Sequence, residues 1–401
     1  MASSWTRRDW LRMALALPAG AWLDRYTAMA APLRNKVKIT AVKAMALRDI
    51  AGNCLIRIDT DAGLTGYGEA GSTGPMARAR IETMRTQLIG KDPLTIEVHF
   101  HNMTTLMHTY MAHIPTISGI DIALWDLLGK ATGQPVGRLL GGRYRERVRP
   151  YASLLMREPQ RMPDVLLPVK AQGFRAFKIG WGPFGRKSCA LDEAIVRAAR
   201  EAVGSDSLLM VDAGASDAFW PQHFKWALRT AEMLAEYDVA WFEEALPPDA
   251  LEDYVALRRA AKVPIAGGEV LTRRQSFQPW LEAGAFDIVQ PDVTKVGGIS
   301  EERHIARMAR DHGVRFIPHG WNTAVGLAAD LHLSSAFPDT DLVEYLTGSP
   351  FIDEIAAGGW KLDADGMLAI PDQPGLGLEI NLDALAKYSR TSLANLRVLL
   401  G

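Results

Sequence analysis

The chain is poor in everything that would mark a special class of protein. It has only two cysteines in 401 residues, Cys54 and Cys189. Two cysteines so far apart make no disulfide framework, and they read as buried free thiols. The formal net charge is −1, so no basic excess points to nucleic acid. No apolar run is long enough for an uninterrupted membrane helix. There is no short-period repeat and no low-complexity tract. At 48% hydrophobic and 23% charged, the composition is that of an ordinary globular protein with room for one barrel and a smaller second domain.

The first thirty or so residues differ from the rest. Thr6-Arg7-Arg8-Asp9-Trp10-Leu11-Arg12 precedes an apolar stretch from Met13 to Leu23, and Ala28-Met29-Ala30 follows. A paired arginine, an apolar core and a small-residue cleavage point form the layout of a twin-arginine export signal. Residues 1–31 are therefore expected to be removed, leaving a periplasmic protein with no membrane attachment. The alternative is an amphipathic N-terminal helix of the mature chain.

Residues 32–147 begin as a meander. VKITAVKAMAL, NCLIRIDT and LTGYGEAG alternate apolar and polar positions, with Asp61-Ala62-Gly63 as a turn. Helical periodicity follows, clearest in ISGIDIALWDLLGKATGQPVGRLLGG, where Gly133 and Pro135 punctuate the end. This is an α+β unit. From 148 to 353 the pattern becomes strand, helix, strand, helix. The strands are VRPYASLL, FRAFKIG, LLMVDAG, VAWFEEAL, VPIAGG, FDIVQPD, VRFIPHG and DLVEYL. Eight such units predict an α/β fold of the (β/α)8, or TIM-barrel, type. Residues 354–401 return to short strands and turns and are expected to rejoin the first unit.

Polar residues close the barrel strands. Lys178, Asp212, Glu243, Glu269, Asp292, His319 and Glu344 follow apolar runs at intervals of roughly 23 to 34 residues, a normal βα spacing. In this fold the C-terminal strand ends are where catalytic groups gather. Three acids on consecutive strands, Asp212, Glu243 and Glu269, suit a hard divalent cation such as Mg2+. Of the pair Glu243 and Glu244, alternation puts one on each side of the strand without saying which is inward. Asp292 one strand before His319 suggests a carboxylate that fixes the imidazole tautomer and raises its basicity. Lys178 at a barrel mouth is either a base or a fixed cation for a substrate carboxylate. Glu344, if protonated, would donate to that carboxylate. Such a set would remove the proton beside a carboxylate and stabilise the resulting enediolate.

These motifs resemble the mandelate racemase subgroup of the enolase superfamily. The resemblance runs from ISGIDIALWDLLGKATGQPVGRLLGG through VDAG, FEEAL, GGE, QPDVTKVGG, IPHGWNTAVGLAADLHL and LVEYL. It implies a modified barrel with an α+β capping domain, which the tail from 354 completes. It also implies Asp212, Glu243 and Glu269 as Mg2+ ligands, Asp292 and His319 as a dyad, Glu344 as a donor to the substrate, and a homo-oligomer. Lys295 is left structural. Specificity would lie on capping loops, around Ala46 to Asn53 and Gly71 to Ala77.

One departure bears on the reaction. The family often carries Lys-x-Lys on the second strand. Here the text is Phe177-Lys178-Ile179-Gly180. Aligned from Gly173-Phe174, a match that needs no gap, Lys178 is the first lysine and Gly180 stands in place of the second, the usual base; aligned from Ile179-Gly180 instead, Lys178 is the second and Ala176 replaces the first. With His319 as the one base, β-elimination is more economical than racemisation. The expectation is a dehydratase that turns an aldonate or aldarate into a 2-keto-3-deoxy acid. An epimerase or cycloisomerase is the alternative. A sugar-acid binding protein on an inactive scaffold is the non-enzyme alternative.

Overall fold

The computed structural model describes residues 37–47, 52–106, 108, 111–217 and 220–389. The export signal expected over 1–31 lies outside them. Strands β1 (Ile39–Ala46), β2 (Cys54–Thr60) and β3 (Thr65–Ala70) form an antiparallel sheet in that order. Helix Ile114–Thr132 packs on it and ends at Gly133, whose φ of 66° is the left-handed turn that glycine adopts freely. The contact is backbone on backbone: a Cβ at Gly68 would lie 2.0 Å from the carbonyl oxygen of Gly119. Any side chain at Gly68 would push sheet and helix apart.

Eight parallel strands follow: β4 (Arg147–Leu155), β5 (Ala176–Gly180), β6 (Leu208–Asp212), β7 (Phe242–Glu243), β8 (Ile265–Gly267), β9 (Ile288–Val289), β10 (Arg315–Phe316) and β11 (Leu342–Leu346). Their order is β10-β9-β8-β7-β6-β5-β4-β11, the sequential order of a (β/α)8 barrel with its last strand beside its first. All eight expected strands are present. Helices between them carry the expected signals. In Cys189–Val203, Ser188 caps the N-terminus by accepting from the Leu191 N–H, and Ile195, Val196, Ala199 and Val203 face inward.

The tail contacts both units. Strand β12 (Leu368–Ala369) pairs antiparallel with β4, a barrel strand, through Leu368 and Val148. The tail also touches the first unit, where the Leu376 N–H donates to Asp126 at 2.8 Å and the Ile370 N–H to the Glu146 carbonyl at 3.0 Å. Of the cysteines, Cys54 is buried as expected but Cys189 is exposed.

The barrel interior explains where the polar groups go. Tyr151, Ala176, Met210, Trp241, Ala266, Ile288, Ile317 and Leu342 form one buried cluster, separate from the main core. Each comes from a different strand or its immediate flank. Side chains alternate along a strand, so two residues further on the chain points inward again, one layer higher. Those positions are Ser153, Lys178, Asp212, Glu243, Gly268, Gln290, His319 and Glu344.

Candidate active site

This layering settles the Glu243/Glu244 choice. Trp241 is inside, so Glu243 is inside. The carboxylate of Glu243 accepts from Trp241 Nε1 and Gln290 Nε2, both at 2.9 Å. Glu244 points the other way, is buried and has a φ of 46°. Burial first, and then Glu269 and Asp212, push its carboxyl well above the usual range.

Asp212, Glu243 and Glu269 are all buried, and each offers an oxygen within 4.8 Å of the others. Gly180 leaves the space over Asp212 open, since a Cβ there would lie 2.9 Å from Asp212 Cβ. Lys178 Nζ sits 2.6 Å from Glu243 Oε1, 3.0 Å from Glu344 Oε1 and 3.6 Å from Asp212 Oδ2. Burial opposes its charge, but Glu243 and Glu344 outweigh that and raise its pKa well above the lysine norm. Lys178 is thus a clamped cation.

His319 Nδ1 lies 2.8 Å from Asp292 Oδ2, and Nε2 lies 3.0 Å from Glu269 Oε2. Burial disfavours the imidazolium, yet Glu269, Glu344 and the Asp292 bond raise its pKa well above the histidine norm. Asp292 Oδ1 accepts from the Thr294 N–H at 2.8 Å and its hydroxyl at 2.6 Å. Burial works against the charge of Asp292, but Lys295 and His319 hold its pKa low. Lys295, read as structural, belongs to the site: its Nζ is 3.2 Å from Asp292 Oδ2 and 3.6 Å from Glu269 Oε1.

Glu344 departs from its expected role as donor. Its Oε2 accepts from the Gly320 N–H at 2.9 Å and the Tyr151 hydroxyl at 3.1 Å, and its Oε1 pairs with Lys178. Burial opposes ionisation, but Lys178 and His319 keep the pKa low. Glu344 is therefore an ionised acceptor in this arrangement.

Charge within the network does not balance. The ion pairs join five carboxylates (Asp212, Glu243, Glu269, Asp292, Glu344) to three basic groups (Lys178, Lys295, His319). With all five ionised and His319 protonated, five against three would leave two negative charges, and burial and then Glu243 accordingly push the Asp212 carboxyl well above the usual range. Burying net charge is costly. A divalent cation on three hard oxygen donors would cancel that excess, so the residues present fit Mg2+.

Several site residues carried no sequence signal that was used. Gln290 is two positions beyond an inner-layer residue, a rule that would have found it. Asn53, Leu155, Trp181 and Trp321 line the cavity over the strand ends, about 340 Å3 in volume, together with Asp212, Glu269, Lys295 and His319. From the capping sheet, Glu69 accepts from the Thr323 N–H (2.9 and 3.0 Å), the Thr323 hydroxyl (2.6 Å), the Gly326 N–H (2.9 Å) and Asn53 Nδ2 (2.7 Å). It places a negative charge at the N-terminus of helix Ala324–Ala336, directly behind the His319 loop. Of the two expected specificity loops, residues 48–51 lie outside the described residues. The other touches the site where the Gly71 N–H donates to the Thr294 carbonyl at 2.9 Å.

Comparison with known proteins agrees with this geometry. Residues 164–384 match the enolase C-terminal domain-like model, and residues 27–141 match the N-terminal domain of mandelate racemase / muconate lactonizing enzyme. The chain is 36% identical over 385 residues to the D-galactarolactone cycloisomerase of Agrobacterium fabrum, covering 88% of this chain and 99% of that protein. It is 32% identical over 361 residues to the D-xylonate dehydratase of Haloferax volcanii, covering 83% and 84%. The crystal structure of the 3,6-anhydro-D-galactonate cycloisomerase from Zobellia galactanivorans matches with a TM-score of 0.81 at 29% identity, covering 88% of this chain and 100% of that one.

Proposed function

Because this chain belongs to the mandelate racemase / muconate lactonizing enzyme family of the enolase superfamily, we propose that it acts on an acid sugar. It takes the proton on the carbon beside the carboxylate, then expels the oxygen on the next carbon, giving a 2-keto-3-deoxy acid. The observation that carries this is the single Asp292–His319 dyad facing a clamped Lys178.

Asp292 accepts from Nδ1–H of His319 at 2.8 Å, and Nε2, which lies 3.0 Å from Glu269 Oε2, is the nitrogen that would work once the Glu269 carboxylate is engaged by a cation. Nε2 takes the α-proton, and the imidazolium then returns it to the departing oxygen. Lys178 and Lys295 supply fixed positive charge where a substrate carboxylate would sit. Asp212, Glu243 and Glu269 would hold Mg2+, which when bound supplies positive charge to the carboxylate oxygens. Gly180 carries no second base. Racemisation, which needs a base on each face, would fall to Lys178, whose amine is drawn to Glu243 at 2.6 Å and Glu344 at 3.0 Å.

If the leaving oxygen is a free hydroxyl, the enzyme is a dehydratase, the reading expected from the sequence. If it belongs to a ring, the same steps open the ring and the enzyme is a cycloisomerase. The second reading is favoured by the aromatic walls of the cavity, and relatives of both kinds occur. A binding protein would not need an Asp-backed histidine.

The test is turnover of a panel of acid sugars by the Mg2+-loaded protein, read as 2-keto acid, with Asp292→Asn alongside. Keto acid from the wild type, and substrate binding without turnover in the variant, support the proposal. Equal behaviour of the two proteins would sink it.

A further inference from the structure

The dyad does not end at Asp292. The carboxylate oxygen turned away from His319, Oδ1, accepts from the Thr294 N–H and hydroxyl at 2.8 and 2.6 Å, and Asn322 Nδ2 lies 3.5 Å from it. Asn322 Oδ1 lies 3.3 Å from the Thr294 hydroxyl and accepts from Asn53 Nδ2 at 3.2 Å. Asn53 Nδ2 also donates to Glu69 Oε1 at 2.7 Å. A continuous line of polar side chains therefore runs from the capping sheet to the imidazole of the base. Glu69 lies on β3 and Asn53 just before β2. Asn53 and Asn322 are 269 positions apart in the chain, so docking of the sheet on the barrel is what brings them together.

Chemistry at the two ends fixes the direction of every bond between them. Glu69 accepts from Asn53, from the Thr323 N–H and hydroxyl, and from the Gly326 N–H. An acceptor there must face the NH2 side of Asn53. Both hydrogens of that NH2 are then engaged, one by Glu69 and one by Asn322, which must present its oxygen. The NH2 side of Asn322 is left facing Asp292, again an acceptor.

Packing leaves the line little freedom. A Cβ at Gly326 would lie 2.6 Å from Asn322 Cβ and 3.0 Å from Glu69 Oε2, so glycine in the first turn of helix Ala324–Ala336 makes room for both. The sheet's backbone reaches the same place, where the Gly71 N–H donates to the Thr294 carbonyl. Glu69, Asp292, Thr294 and Asn322 are all buried. Moving one of them would leave another buried polar group unpaired, which is costly, so the set holds one arrangement.

We propose that Asn322 is a positioning residue for the base, and that Asn53 and Glu69 tie it to the capping sheet, so that His319 is aimed only while sheet and barrel are docked. Thr294 and Asn322 fix the rotation of the Asp292 carboxylate and turn Oδ2 toward His319 Nδ1. The imidazole follows, because that bond sets its tautomer and orientation. Asn53 also lines the cavity. Substrate therefore meets the capping sheet and the line to the base at one residue. The kinetic consequence rests on the elimination reading above; the effect on the dyad does not.

The experiment uses the full chain and two readouts. The first is α-deuterium exchange and 2-keto acid formation by the Mg2+-loaded protein, with the acid sugar that the wild type turns over fastest. Asn322→Ala should lower kcat by about a hundredfold, since a small misplacement of a catalytic group has that effect, with KM changed less than about threefold. Asn53→Ala should lower kcat by about tenfold, and the double variant should be no slower than Asn322→Ala, because both cut one line. Thr294→Val should slow turnover in the same way, and Thr294→Ser should recover most of it. The second readout needs no turnover. It is NMR of the His319 Nδ1 proton in metal-free chain carrying isotope-labelled histidine, assigned by its loss in His319→Asn. That proton should shift and exchange faster with solvent in Asn322→Ala and in Asn53→Ala. An unchanged proton and kcat in both variants, or losses that multiply in the double variant, would overturn the relay and leave elimination standing. If Asn322→Ala does not fold, Asn53→Ala and Thr294→Val decide by the same readouts. No α-exchange by the wild type would overturn the elimination reading, with the Nδ1 proton still deciding the relay.

Discussion

Two groups of buried acids in this molecule meet opposite fates. At the strand ends, Glu269, Asp292 and Glu344 are buried and ionised, because Lys178, Lys295 and His319 converge on them. In the helical layer, Asp121, Glu302 and Asp330 are as deeply buried, and no lysine meets them. Burial leads the causes there, and it pushes Asp121 up to about 7 and the other two well above the carboxylate range. All four oxygens of Glu302 and Asp330 lack a hydrogen-bond partner among the described residues. Depth alone therefore does not mark the site; cations converge there on Glu269, Asp292 and Glu344, while burial and neighbouring carboxylates still push Asp212 and Glu244 up.

The largest effect should come from breaking the dyad. His319→Asn should lower kcat by about a thousandfold or more, with substrate binding changed only a few-fold. Steady-state kinetics beside equilibrium binding separates the two. Next, Lys178→Met would strip the strand-end acids of their shared cation. Leaving buried charge uncompensated costs about 3–5 kcal/mol. Thermal unfolding of the metal-free variant should show that loss, and added Mg2+ should recover more stability in the variant than in the wild type.

The helical acids give a pH signature of the opposite kind. Asp121 binds its proton more tightly in the folded chain, at about 7 against the ordinary 3.8. Its contribution to stability is then full below pH 3.8 and is lost as pH rises through about 7. The upper limit of that loss is roughly 4 kcal/mol. Asp121→Asn keeps an acceptor for the Ser300 N–H and should flatten the slope of unfolding free energy between these values. An unchanged slope would assign the pH dependence elsewhere.

The smallest effect sharpens the reading of Gly180. Gly180→Lys restores a second lysine on β5 but drives its Cβ to 2.9 Å from that of Asp212. It should weaken Mg2+ by about tenfold, roughly 1.4 kcal/mol, without producing an α-epimer. Calorimetry and NMR of recovered substrate check the two halves.

Much of this was legible in the sequence, for physical reasons. Parallel barrel strands are buried on both faces, so they read as short apolar runs, and a polar residue at the end of such a run stands out. Asp212, Glu243, Glu269, Asp292 and His319 were found in that way. Period-two alternation alone could not orient Glu243 against Glu244, because inward is defined by the neighbouring strands; Trp241 in the inner layer supplied it. Lys295 was left structural because it sits on a loop and reaches Asp292 and Glu269 through its long side chain. Trp181 and Trp321 were missed because an aromatic after a strand looks like core until its exposure is known. The charge of Glu344 was not legible in the sequence because it depends on donors from three other elements, Tyr151, Lys178 and Gly320.

The central claim is that one base works on one face of the α-carbon. The most direct measurement is turnover of an accepted acid sugar in heavy water, stopped before completion, with NMR of both product and remaining substrate. The account predicts a 2-keto-3-deoxy acid and, in the remaining substrate, no inverted α-carbon. A deuterated α-epimer accumulating without keto acid would contradict it and make Lys178 a second base.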